Sequence, residues 1–114
     1  MTTFDALLED LSSDIRDTLR RVAGLAEESF RARADAYDRQ ATFPKEDFQA
    51  LFHADLLGAT IPRDAGGLGL GIQGRNTFPL WMMTKLMAKA DLSLARCWEG
   101  HANSLVLIDA LGTP

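Results

Sequence analysis

The sequence predicts an all-α fold: a four-helix, up-and-down-type bundle with one long glycine-rich loop between helices 2 and 3. Three observations carry this reading. Apolar residues recur at three- and four-residue steps in four segments. Pro44, Pro79, Asp91 and Ser93 stand where helices start, and Gly58 and Gly112 where they stop. No alternating apolar and polar run of the kind a half-buried strand requires is present in the chain.

The first helix is expected from Phe4 to about Tyr37. Its apolar positions are Phe4, Leu7, Leu8, Leu11, Ile15, Leu19, Val22, Leu25, Ala26 and Phe30, and charged residues occupy much of the other side. Asp17 precedes Arg20 and Arg21 by three and four residues, a spacing that supports a solvated helix face by a few tenths of a kcal/mol. Gly24 is placed to fray or bend the middle. Periodicity stops around Arg39 to Thr42. Pro44 suits the first turn of a second helix, because its missing N–H would have no partner there. Glu46 and Asp47 complement the positive helix end. Phe48, Leu51, Phe52, Leu56 and Leu57 form its buried stripe, and Gly58 is placed to end it in a left-handed conformation.

The glycine loop runs from Gly58 to about Gly74, longer than most helix connections. A third helix is expected to begin near Asn76 or Thr77, with Pro79 in its first turn. Its apolar content is Phe78, Trp81, Met82, Leu86 and Met87, and ordinary core packing is the favoured reading of the methionines. The fourth helix starts at Asp91 or Ser93, either able to accept from free first-turn N–H groups, and runs to Leu111. Leu94, Trp98, Ala102, Leu105 and Ile108 lie on one face, and Arg96, Glu99 and Asn103 on another.

Composition narrows the function classes. With 114 residues the chain has room for one small domain with one core, and 46% hydrophobic residues make it globular. A net charge of −4 argues against a phosphate-binding surface for nucleic acid. No apolar run reaches bilayer length, and the acidic N-terminus lacks the pattern of a signal or transit peptide, so a cytoplasmic location is the default expectation. Cys97 is the single cysteine and excludes an internal disulfide.

Four features of the sequence bear on chemistry. Gly69-Leu70-Gly71-Ile72-Gln73-Gly74 matches the dinucleotide pattern GxGxxG, which works only after a buried strand and at the opening of a helix. The preceding Pro62 to Gly67 cannot form a central strand, so a glycine-bent crossing between helices is preferred. His53 and His101 have no second ligand set at zinc spacing, so no metal site is expected. Cys97 lies four residues before His101, the geometry of a nucleophile and base, but with no oxyanion site in view it reads as a plain buried cysteine. The cluster Trp98-Glu99-Gly100-His101 has the strongest functional content. A carboxylate and an imidazole on a packing-rich helix need partners or water, and a mid-helix glycine suits close approach of another body.

Leu57-Gly58, Ile61-Pro62 and Ala65-Gly66-Gly67-Leu68-Gly69-Leu70 resemble the loop between the second and third helices of acyl-CoA dehydrogenases. Phe43-Pro44 before it and Asp91-Leu92-Ser93, His101 and Leu111-Gly112-Thr113 after it fit the same family, so the likeness runs from about Phe43 to the last residue. Asp55 stands where the family commonly has glycine, and Ala65 where it often has an aromatic residue. The resemblance implies that residues 1–114 are an N-terminal helical domain, truncated before the flavin-binding middle and C-terminal domains. It implies flavin adenine dinucleotide in the full-length parent, none on this part alone, no catalytic residue here, and a homo-oligomeric enzyme of fatty acid metabolism. In the family the helix matching the fourth one lines the acyl cavity. Arg96, Glu99, Gly100 and Asn103 are therefore the expected substrate-binding residues for an acyl-CoA-type substrate.

The leading expectation is thus the N-terminal domain of a flavoenzyme that oxidises acyl thioesters at the α and β carbons. The alternatives are the same domain of a flavin-dependent monooxygenase, which a flavin-facing His101 would favour, and a stand-alone helical interaction module. Apolar surface left over at Trp81, Met82 and Met83 is expected to make the isolated chain self-associate.

Overall fold

The computed structural model describes residues 3–72 and 74–112. Helices build it: α1 (Thr3–Leu8), α2 (Ser13–Leu25), α3 (Arg31–Gln40), α4 (Lys45–His53), α5 (Thr77–Ala90) and α6 (Leu92–Leu111). A π turn over Ala26–Phe30 joins α2 to α3 without a break, so these elements form five helical rods among the described residues. There is no strand among them, only an isolated bridge between Gly71 and Asn76. No helix among them is long and apolar enough to cross a membrane.

The first expected helix is divided. α1 stops at Leu8, and Ser12 caps α2 by accepting from the Ile15 N–H. The apolar spacing runs unbroken through the gap because Leu8 and Leu11 still pack on the core from the turn. Periodicity therefore hid a break that the cap residue defines. Asp17 does not hold Arg20 and Arg21. Arg20 reaches Asp5 at 3.3 Å, and Arg21 donates to the Ala54 carbonyl at 2.6 Å, clipping α2 to the end of α4. Two residues beyond Gly24 the helix widens into the π turn, which contributes the buried Ala26 and Phe30. α3 then buries no residue fully and carries the Asp35–Arg39 pair on its surface.

α4 ends at His53, earlier than Gly58. The left-handed residue that turns the chain is Asp55, at φ 60°. Aspartate tolerates that region better than most side chains, and glycine at no steric cost. Phe52 points outward at 64% exposure, while Leu51 and Leu56 are fully buried.

α5 is the central rod, packed against α6, α2 and the π turn. Met82, Met83 and Met87 belong to the core, as the favoured reading of the methionines expects; the leftover apolar surface expected at Met82 and Met83 is not there. Trp81, one residue earlier in the helical phase, faces outward at 68% exposure. α6 starts where Asp91 accepts from the Leu94 N–H and buries Leu94, Ala95, Trp98 and Ala102. Its apolar face stops there. Leu107, Ile108 and Leu111 are exposed, as is Cys97, which is not the buried cysteine expected.

Between α4 and α5 the chain folds back on itself. Leu68, Gly69 and Leu70 donate to the carbonyls of Gly58, Ile61 and Ala59 at 2.9–3.1 Å. That pairing presents residues 56–60 to α6 and sets the position of the site face.

Candidate functional site

α6 is fixed against the loop by three hydrogen bonds from one face. The Trp98 indole Nε1 donates to the Leu56 carbonyl at 3.1 Å, the Thr60 hydroxyl donates to the Ala102 carbonyl at 2.8 Å, and His101 Nε2 lies 2.7 Å from the Leu57 carbonyl. A carbonyl oxygen only accepts, so Nε2 carries the proton in that bond. His101 is thereby a half-buried tether of the loop, with no catalytic partner among these contacts. Buried polar groups need such partners, and the three bonds satisfy an indole, a hydroxyl and three carbonyls together.

Locking that face inward turns the opposite one outward. Arg96 Nη1 and Asn103 Nδ2 each donate to Glu99, one to each carboxylate oxygen. All three side chains are exposed or half-exposed, with Arg96 at 75% and Glu99 at 39%. Gly100 completes the set: a Cβ there would lie 3.4 Å from Arg96 Nη1. The body that approaches this glycine is the guanidinium of the preceding turn. The four residues expected on the substrate face are thus one neighbourhood, in which both carboxylate oxygens are already oriented. A groove of about 180 Å³ runs beside them, lined by Leu80, Trp81 and Thr84 of α5 and by Trp98, Glu99, Ala102 and Asn103 of α6. The α5 wall was not legible from the sequence, because it depends on how α5 and α6 cross.

The glycine loop does not fit a dinucleotide diphosphate. The N–H groups of Gly66, Gly67, Leu68, Gly69, Leu70 and Gly71 all donate to carbonyls within the loop or to Asn76. A phosphate cradle needs such groups free and aimed outward. α5 starts at Thr77, so the last glycine of the motif does not open a helix. Among the described residues no group of three or more His, Cys, Asp or Glu side chains is placed to hold a metal ion.

A second polar centre joins α3 and α4. Asp47 is fully buried in the first turn of α4 and takes Arg33 from α3 on Oδ1 at 2.6 Å. Its Oδ2 is buried without a hydrogen-bond partner among the described residues. The signal was in the sequence: Asp47 lies four residues before Leu51, on the apolar stripe of α4. Loss of solvation raises the Asp47 carboxyl above its ordinary 3.8, with Asp91 and Glu46 adding to the rise and Arg33 opposing it. The folded state therefore binds the proton more tightly than the unfolded one. The resulting stabilisation is full below pH 3.8 and is lost as pH rises through the folded value. The stability of the native chain relative to Asp47→Asn should fall as pH climbs from 3 towards 7, read as urea midpoints. A difference that widens with pH would mean that the Arg33 pair outweighs the burial.

The chain belongs to the acyl-CoA dehydrogenase N-terminal domain family, whose model matches residues 12–114. Members of that family generally bind FAD. A curated protein similar to it is L-evernosamine nitrososynthase of a Micromonospora species, 37% identical over 68 residues. That match takes in 60% of this chain and 15% of the relative, so the chain corresponds to a small part of that protein's length. No solved structure matches the chain significantly.

Proposed function

We propose that this chain is the N-terminal domain of a flavin-dependent oxidoreductase, and that the outward face of α6 forms one wall of its substrate cavity. The observation that carries this reading is the network of Arg96, Glu99 and Asn103 over Gly100, oriented beside a groove. Preorganised polar groups at a cavity wall fix substrate orientation more than they supply binding energy. The domain positions substrate and excludes water; the flavin, held by other parts of the parent, supplies the oxidising chemistry. The parent is a homo-oligomer on the same family reading.

Two chemistries fit the family. Oxidation of an acyl thioester at its α and β carbons needs a cavity that accepts an aliphatic tail. Oxygenation of an amine, the monooxygenase branch, needs one that accepts polar groups. The second is favoured here. The wall presents a carboxylate and an amide, with a guanidinium bonded to the carboxylate, and the relative's name describes formation of a nitroso compound, which requires oxygen at nitrogen. A long apolar tail laid over these groups would strip them of water without replacing its hydrogen bonds.

The test uses the intact flavoprotein. Amine-bearing substrates are assayed with oxygen and a nicotinamide reductant, and short and long acyl thioesters with an artificial electron acceptor under exclusion of oxygen. Turnover of the amines and not of the thioesters is expected. Glu99→Ala should lower kcat/KM on the amine by about tenfold or more while the melting temperature stays near that of the parent. An unchanged kcat/KM on every substrate would remove α6 from the cavity.

A further inference from the structure

The groove between α5 and α6 holds one feature that the polar network does not use. Trp81 is a large aromatic ring left 68% exposed on α5, and it lines the same groove as Glu99 and Asn103. The other indole of the chain, Trp98, is buried and forms the groove floor with Ala102. The α5 side of the groove thus carries an exposed indole, and the α6 side carries the Glu99 carboxylate and the Asn103 amide, hydrogen-bonded to each other. Thr84 adds a hydroxyl on the α5 side; its proton goes to the Leu80 carbonyl, which leaves its lone pairs to accept.

We infer that Trp81 is a specificity-determining residue, the stacking platform for a saturated ring that carries hydroxyl or amino substituents. The inference rests on the proposal that the outward face of α6 is a substrate wall. The face of an indole is the negative part of its quadrupole, and the C–H groups on one side of a saturated polyol ring present a weakly positive, apolar surface to it. The edge of the same ring carries donors and acceptors in one plane. Glu99 and Thr84 accept and Asn103 donates, so both kinds of substituent find partners. The network of Arg96 and Glu99 carries no net charge, so recognition depends on matching hydrogen bonds and stacking. An aliphatic tail meets only half of this groove. It would stack on Trp81 and leave the opposite wall unpaired.

The groove is open in the 114-residue chain, so binding is read directly by amide chemical shifts in that chain. The probes are D-glucosamine, which has ring and polar edge, n-butylamine, which has an amine and no ring, and a butyryl thioester of N-acetylcysteamine. Glucosamine is expected to shift the Thr84, Glu99 and Asn103 amides saturably, and butylamine to do so far more weakly. Trp81→Ala should weaken the glucosamine affinity by about tenfold, the scale of a lost stacking contact, and Trp81→Phe should retain most of it. Glucosamine shifts that are equal in Trp81→Ala and the native chain would overturn the platform while leaving α6 as a substrate wall. Preferential shifts with the thioester would overturn the ring specificity and return the groove to acyl binding. If none of the probes moves these amides, the platform and the substrate wall both fall.

Discussion

Trp98→Ala is expected to destabilise the chain by about 3–5 kcal/mol, the range for removal of a buried aromatic side chain. The ring is fully buried at the meeting of α6 with the loop after α4. Its loss leaves a cavity where α6 meets the segment that carries Leu56, and it leaves the Leu56 carbonyl without its donor. Trp98→Phe separates these contributions. Phenylalanine keeps much of the volume and removes only the N–H, so its cost should be nearer about 1–3 kcal/mol, the desolvation penalty of one unmet buried acceptor. Urea titration of the two variants gives both values. A loss below about 1 kcal/mol for the alanine variant would mean that the loop collapses freely into the space, against the close packing described.

The order of costs matters for the site. Trp98, His101 and the Ala102 carbonyl use one side of α6 to hold the loop, which fixes the helix's rotation about its axis. Arg96, Glu99 and Asn103 then face outward because nothing else is left for them to do. The sequence spacing already separated these two sets by helical phase. It also placed the starts of α5 and α6, because Pro79 and Asp91 act locally. The family likeness needed only the order of such local signals.

Less legible was anything that depends on tertiary partners. The gap between α1 and α2 keeps its apolar spacing, so only the Ser12 cap betrays it. Core packing of the methionines is as expected, but the leftover surface expected at Met82 and Met83 is absent and Cys97 is exposed, since a helix with apolar residues all round gives no phase by itself. Asp47 was read as a favourable charge at a helix end, whereas burial beside Asp91 makes it a strained acid held by Arg33. His101 looked chemical because an imidazole stood beside a glutamate in sequence. In space the two point to opposite duties, one to a carbonyl in the loop and the other to Arg96 and Asn103. The hydrogen-bond partner of His101 lies 44 residues away, a distance no local pattern reports.

Gly67→Ala should be nearly as damaging as loss of the tryptophan, about 3 kcal/mol, at the top of the range for forced overpacking. The cause differs from the usual freedom of glycine. A Cβ at residue 67 would lie 2.1 Å from the Ile61 carbonyl oxygen and 2.4 Å from the Ile61 Cβ. Backbone cannot rotate aside as a flexible side chain can, so the two limbs of the loop must separate. Their separation breaks the bond from the Gly69 N–H to that same Ile61 carbonyl and loosens the Leu70 bond to Ala59 beside it. The displaced limb carries Thr60, whose hydroxyl holds the Ala102 carbonyl, so the damage should reach α6. Two other glycines provide contrast. Gly66 has open space around its Cβ direction but φ of +93°, so Gly66→Ala should cost only local strain, on the order of 1–2 kcal/mol. Gly24 lies in α2 with nothing within 4 Å, so Gly24→Ala should stabilise by about 0.5–1 kcal/mol. Melting curves rank the three variants, and hydrogen exchange locates the effect. For Gly67→Ala, faster exchange is expected at Gly69 and Leu70. The Trp98 emission should also shift to longer wavelength as water reaches the indole. A melt at the native temperature with unchanged exchange at Gly69 would show that the limbs tolerate a methyl group between them, and with it that the loop does not set the position of α6.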